Sequence, residues 1–260
     1  MRLKDFIAAV ERTAPKELAA EWDNPGLLVS PAEREIKDVL MALDCTAAVA
    51  DEAAERGCQL VLSHHPLFFH PVKHLLQEDP RTAAAWTLAR RGVGLYAAHT
   101  NLDSAENGVN DVLCGLFGIT DAGPYCNGMG RVGTLQKAVT LKDFVRDVND
   151  LLGGSARFTG DPETLVARVA VLGGAGGDAL TDAKAAGADV LLTGEARHHE
   201  ALASVEIGLP LIVAGHYETE NIVILPWIRR LQRETNDVQY HVARAGANPF
   251  VRIQNREVET

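Results

Sequence analysis

Part of this chain is written twice. VLMALDCTAAVADEAAERGCQLVLSHH, residues 39–65, lies without gaps over VAVLGGAGGDALTDAKAAGADVLLTGE, residues 169–195. Each copy reads as a strand, a helix closed by a glycine, and a second strand that ends in polar residues. A shorter echo follows, with residues 93–109 over residues 210–224, so that His99 matches His216 and Asp103 matches Glu220. Repetition of this kind restricts the chain to an architecture that uses one unit twice. We expect two similar α/β halves related by a pseudo-twofold duplication, residues 1–126 and residues 127–260, packed intimately as one unit. Loops at the carboxyl ends of strands are where open α/β sheets place ligands, so both halves should face one cleft.

Short apolar runs mark strands at 39–43, 60–63, 93–98, 132–136, 166–172, 190–193, 210–214 and 238–243, with Ala-rich amphipathic helices between them. Helices at 46–56 and 180–186 should stop at Gly57 and Gly187. The glycine-rich stretch 121–131, with Pro124 and Cys126, reads as a linker or crossing loop between the halves.

At 260 residues and 47% hydrophobic, the chain can bury a large core. A formal charge of −10 without clusters of Lys and Arg argues against a general nucleic-acid-binding surface. Cys45, Cys58, Cys114 and Cys126 are too scattered for a zinc knot or a disulfide framework and read as small buried hydrophobes. The N-terminal stretch alternates apolar and charged residues, unlike a signal peptide, and no run reaches the roughly 18 apolar residues of a membrane span. A cytoplasmic protein is the expectation.

The residues that carry chemistry sit at the ends of these strands. His64 and His65 leave the 60–63 strand consecutively, so their side chains diverge, and each can hold a different metal ion. In the segment from His216 to Glu220, a four-residue step places imidazole and carboxylate on one helical face. Glu220 is therefore suited to bridge two cations about 3.5–4 Å apart. The same step joins His99 to Asp103. The expected metal ligands are His64, His65, Asp103, His216 and Glu220, holding two divalent ions from a set that includes zinc, iron, manganese and nickel. His99 is expected to orient Asp103, contact substrate or move a proton.

The segment from Thr193 to His199 mirrors the His64 strand end. There Arg197 is expected to meet a phosphate, and His198 and His199 to supply protons. Glu21-Trp22-Asp23-Asn24-Pro25-Gly26 reads as a turn whose Trp22 and Asn24 can receive a base. The glycines at 173–177 follow a strand but lack the Lys-Ser/Thr of a Walker loop, and they read as a tight turn with backbone amides near the cleft.

EWDNPGLLV, SHHPLFF, HTNLD, TGEARHH, GHYETE and the late Asn248-Pro249 together resemble, in order and over nearly the whole chain, the Nif-three-like family, also known as the type 2 GTP cyclohydrolase I family. The resemblance implies a dinuclear metal centre on the five ligands above and a homohexameric ring. It also implies the short form of the family, without an inserted domain between the halves. The activity it implies is conversion of GTP to dihydroneopterin triphosphate. A phosphoesterase acting on another nucleotide, and a non-enzymatic metal-binding or regulatory ring protein, fit the same ligands.

Overall fold

Aliphatic runs without polar alternation need cover on both faces, and here they form the parallel centres of two sheets. The computed structural model describes residues 1–251. Its first sheet holds β1 (Gly26–Val29), β2 (Asp38–Ala42), β3 (Leu60–Ser63), β4 (Gly94–Ala97) and β11 (Gln239–Val242), in the order β1-β4-β3-β2-β11. All neighbours are parallel except β1, which closes one edge antiparallel to β4. The second sheet holds β5 (Ile119–Tyr125), β6 (Gly130–Thr140), β7 (Arg157–Phe158), β8 (Leu165–Leu172), β9 (Val190–Thr193) and β10 (Leu211–Val213), in the order β5-β6-β8-β9-β10-β7. Only β8, β9 and β10 pair in parallel.

The helices are α1 (Leu3–Thr13), α2 (Ala47–Glu55), α3 (Ala83–Arg91), α4 (Thr100–Ser104), α5 (Val109–Leu116), α6 (Leu141–Leu152), α7 (Leu180–Ala185), α8 (His198–Ile207), α9 (His216–Glu220) and α10 (Ile224–Leu231). The Thr46 hydroxyl starts α2 by accepting the Val49 amide, and the left-handed Gly57 lies just beyond its end. None of the described helices is long and apolar enough to cross a membrane.

The repeated sequence segments share a strand register. Val39 pairs with Leu60 and Ala42 with Ser63, just as Val169 pairs with Val190 and Leu172 with Thr193. Downstream the echo slips by one residue. Val61 stands beside Leu95, but Leu191 stands beside Leu211, which the sequence overlay had set against Gly94. His99 is therefore the residue before α4, whereas His216 is the first residue of α9.

The stretch 121–131 is not a linker but a β-hairpin, and its glycines and proline belong to β5, β6 and the turn between them. Cys126, Asn127 and Gly128 at the tip all take left-handed φ values, of 50°, 54° and 89°. The expected division after residue 126 falls on that tip, inside the second sheet, and β11 later carries the chain back into the first.

One apolar core serves both sheets. It contains Val39, Leu60 and Tyr96 from the first and Val169, Val190 and Ile212 from the second, with Val109 and Leu113 of α5 and Trp227 of α10. Trp227 is fully buried, and its indole N–H donates to Thr13 Oγ1 at 2.8 Å, tying α10 to the end of α1. All four cysteines are free. Burial pushes the Cys45 and Cys114 thiols up to about 12 and those of Cys58 and Cys126 up to about 11. Cys126, at the hairpin, is only half-buried, unlike the other three.

Replacing Trp227 with Ala removes the largest fully buried side chain and leaves a cavity at the α1–α10 contact. A loss of about 3–5 kcal/mol is expected, read as a lower denaturant midpoint with unchanged slope.

Candidate metal centre

Strand ends from both sheets supply the site. Asp44 lies two residues beyond β2, His64 and His65 follow β3, and His99 comes just after β4. From the second sheet, Gly173 and Gly174 follow β8, Gly194 and Glu195 follow β9, and His216 opens α9 just after β10. The ligand atoms of His64, Asp103 and Glu220 all lie within 4.8 Å of one another, as do those of His65, His216 and Glu220. Glu220 belongs to both groups.

The hydrogen bonds fix which ring nitrogens face the centre. His64 Nδ1 is 2.9 Å from the Ala98 carbonyl, which can only accept, so Nδ1 carries the proton and Nε2 presents a lone pair. That lone pair is buried, 3.6 Å from Asp103 Oδ1 and 3.7 Å from Glu220 Oε1. His65 Nδ1 donates to Asp44 Oδ1 at 2.7 Å, leaving its Nε2 3.2 Å from His216 Nε2. Glu220 Oε2 lies 3.0 Å from His65 Nε2 and 2.9 Å from His216 Nε2, close enough for ion pairing but without hydrogen-bond alignment. Thus His64 Nε2, Asp103 Oδ1 and Glu220 Oε2 are buried without a hydrogen-bond partner. Each such atom costs about 1–3 kcal/mol, and a cation set among them removes that cost. The donor set of imidazole and carboxylate suits a divalent transition metal.

Glycine lets the second sheet approach this closely. Gly174 has φ of +66°, and a Cβ there would come within 2.1 Å of Glu220 Oε1. The expected amide-rich turn at 173–177 is present, but it is not a phosphate cradle. The Gly173, Gly174 and Gly176 amides donate to Asn110 Oδ1, Thr219 Oγ1 and Thr193 Oγ1.

A model of the family described as Duf34/NIF3 (NGG1p interacting factor 3) matches residues 1–249. The chain belongs to the DUF34/NIF3 family. A Clostridium perfringens protein named GTP cyclohydrolase 1 type 2 homolog is 34% identical over 259 residues, which cover 96% of this chain and 99% of that protein. Among solved structures, a Bacillus cereus protein related to NIF3 superposes with a TM-score of 0.90 at 23% identity, covering 97% of this chain and 99% of that one. A Staphylococcus aureus hypothetical protein gives 0.88 at 28% identity, with coverage of 97% and 99%.

In this DUF34/NIF3 chain, the crowding of carboxylates and imidazoles shifts the ionisation of each in a direction set by its neighbours. Burial works against a charged His65, but Asp44 and Glu220 outweigh it and raise the imidazole to about 10. The nearby Glu220 carboxylate likewise raises His216 against the cost of its burial. Burial pushes the Asp103 carboxyl up. Glu220 goes the other way: burial opposes its charge, yet His64, His216 and His65 hold it well below the usual carboxylate range.

The structure gathers His64, His65, His99, Asp103, His216 and Glu220. Trp22 is exposed and stands edge-on to His99, with ring centroids 5.9 Å apart. Asn24 is turned elsewhere, its side-chain amide donating to the Phe68 carbonyl at 2.8 Å. Arg197 reaches the larger cleft, but its guanidinium is already paired with Glu200. His198 and His199 are exposed at the start of α8 and line neither cavity at the centre. As the first two residues of α8 they lie past the turn that carries Gly194 and Glu195 to the site.

The sequence reading did not single out Asp44 or Glu195. Glu195 Oε2 lies 3.4 Å from His216 Nδ1, the counterpart of Asp44 beside His65. An acidic residue just past the strand that neighbours the His64 strand was the available signal for Asp44.

Two cavities meet at the cluster. One of about 420 Å³ is bounded by Trp22, Pro66, Phe69, Met129 and Leu172 opposite His99, Asp103 and Glu220. The other, about 940 Å³, runs from His65 and His216 past Arg157 and Arg197 to Pro249 and Phe250. Asn248 anchors this far wall by donating to Glu218 Oε1 at 2.8 Å.

Two outcomes follow from the geometry. Gly174→Ala should push Glu220 aside and weaken zinc binding by about ten- to a hundredfold, measured by competition with a chromophoric chelator. Because His65 is raised to about 10 and a metal needs its neutral form, zinc binding should release protons and tighten as the pH rises from 6 towards 10. Calorimetry in two buffers of different ionisation enthalpy reads both effects.

Proposed function

We propose that this chain binds two divalent cations, one at His64, Asp103 and Glu220 and one at His65, His216 and Glu220, and uses them to hydrolyse a nucleotide-like substrate. The observation that carries this reading is the trio of buried acceptors, His64 Nε2, Asp103 Oδ1 and Glu220 Oε2, that meet no donor. When bound, such cations supply Lewis acidity towards a ring carbon or a phosphoryl centre. Conversion of GTP to dihydroneopterin triphosphate is the reaction that the relatives' name suggests.

The chain's own residues divide the remaining work. Glu220 bridges the two positions, and Asp44 and Glu195 hold the rings of His65 and His216 from behind. Trp22 offers a face to a planar ring at the smaller cavity, and His99 beside it handles protons. Arg157 and Arg197 line the larger cleft, where a phosphate chain would extend. On this reading the two strand-helix-strand units of common register are copies of one ancestral unit, with the cations in the cleft between them. The assembly is a homohexameric ring in the cytoplasm.

A second reading, a metal-binding regulatory ring without turnover, is favoured by one feature. The larger cleft is lined by Asp44, Asp178, Glu195, Glu200 and Glu218 against only two arginines, which is unfavourable to a polyphosphate.

Metal analysis of protein purified without added metal, followed by a GTP assay on the same sample, tests the proposal. Two equivalents per chain, formate release with GTP, and loss of both in His64→Ala are expected. Metal content near zero would overturn the site. Two equivalents with orthophosphate release and no formate identifies a phosphoesterase, and two equivalents without turnover of any nucleotide supports the regulatory reading. Sedimentation velocity checks the hexamer.

A further inference from the structure

Behind the cluster, one carboxylate holds a histidine that is not among the proposed ligands. The Asp23 side chain is wholly buried. Its Oδ1 accepts from His99 Nδ1 at 2.9 Å and from the Asn24 amide at 2.7 Å. Its Oδ2 accepts from the Thr100 amide at 3.0 Å and from the Thr100 hydroxyl at 2.6 Å. The hydroxyl is fixed in turn by the Ala20 amide, 2.9 Å away. Five contacts thus pin both Asp23 and the first turn of α4.

A carboxylate so placed can only accept, so His99 must carry its proton on Nδ1. Burial opposes a charged Asp23, but the bonds from His99 and Thr100 hold its carboxyl at about 2. With Nδ1 engaged, Nε2 is the open nitrogen of His99, and the ring lines the smaller cavity. A ring nitrogen of His99 comes within 4.8 Å of ring nitrogens of both His64 and His65. Trp22 and Phe69 stand edge-on to the imidazole, with centroids 5.9 Å and 5.4 Å away, and limit its swing.

We infer that Asp23 and His99 form a catalytic dyad at the mouth of the metal centre, with Asp23 the positioning residue and His99 Nε2 the proton acceptor. As the attacking water oxygen bonds to the electrophilic carbon or phosphorus, Nε2 takes the proton that the water gives up. The imidazolium is steadied by Asp23 and returns the proton to the leaving atom as its bond breaks. The dyad rests on the hydrolase reading for its role but not for its geometry.

The test uses full-length zinc-loaded protein with 15N-labelled histidine, as wild type, Asp23→Asn and His99→Gln, the last serving to assign the His99 signals. Long-range 1H–15N correlation should place the wild-type His99 proton on Nδ1 and move it towards Nε2 in Asp23→Asn, while zinc content stays the same in all three. With GTP, kcat should fall by about 10²–10⁴-fold in both variants with little change in KM. A wild-type His99 protonated on Nε2 overturns the inference, even if Asp23→Asn fails to fold. So does loss of zinc in His99→Gln, which would make His99 a ligand, or an unmoved tautomer in a folded Asp23→Asn. If wild type shows no turnover of GTP or a phosphate ester while the tautomer is as expected, the hydrolase reading and the catalytic role fall together, and only the positioning of His99 by Asp23 survives.

Discussion

Acceptors that face one another inside a protein repel, and at Glu220 this chain gathers them deliberately. Three imidazoles and two carboxylates turn towards one small volume, while the outer nitrogens of His64 and His65 are already committed to Ala98 and Asp44. Neither of these rings can turn away without breaking a bond that burial makes valuable. The surrounding fold follows from that requirement. Strand ends must arrive from two sheets, α9 must begin at His216 so that Glu220 falls one turn later, and the backbone at Gly174 must pass where a side chain would collide with the Glu220 carboxylate.

Much of this was legible before any coordinates. His64 and His65 follow a four-residue apolar run, His216 and Glu220 are one helical turn apart, and both patterns are local, so sequence spacing determines them. The partners behind the ligands were harder to read. Asp44 reaches His65 only because β2 and β3 lie side by side, and Asp23 reaches His99 across 76 positions of chain. Pairing between distant segments leaves no periodic trace. The same limit explains β1 and β7, a four-residue and a two-residue strand at sheet edges, whose pairing partners lie far off in the chain.

The misread segments share a different cause. Glycine at 121–131 reported a hairpin turn and not a linker, whereas the tight turn expected at 173–177 is present and its Gly174 also leaves room for the Glu220 carboxylate. Composition signals that the chain bends or comes close, while the object approached is decided by tertiary packing. For His198 and His199, a motif that mirrors the His64 strand end was continued by a helix start, which leaves both residues exposed on α8.

The return of β11 to the first sheet carries a consequence for biosynthesis. Strand β2 is complete at residue 42, yet the strand that covers its free edge is not made until residues 239–242. For almost two hundred residues of translation, a buried apolar strand therefore stands with one side unpaired, the kind of edge that recruits other chains. Glu220, too, is synthesised long after His64 and His65. A nascent chain stalled before this point holds only part of the cluster and an open sheet. The candidate metal centre is thus completed only once Glu220 has been made, so a product that ends before that residue cannot assemble the cluster.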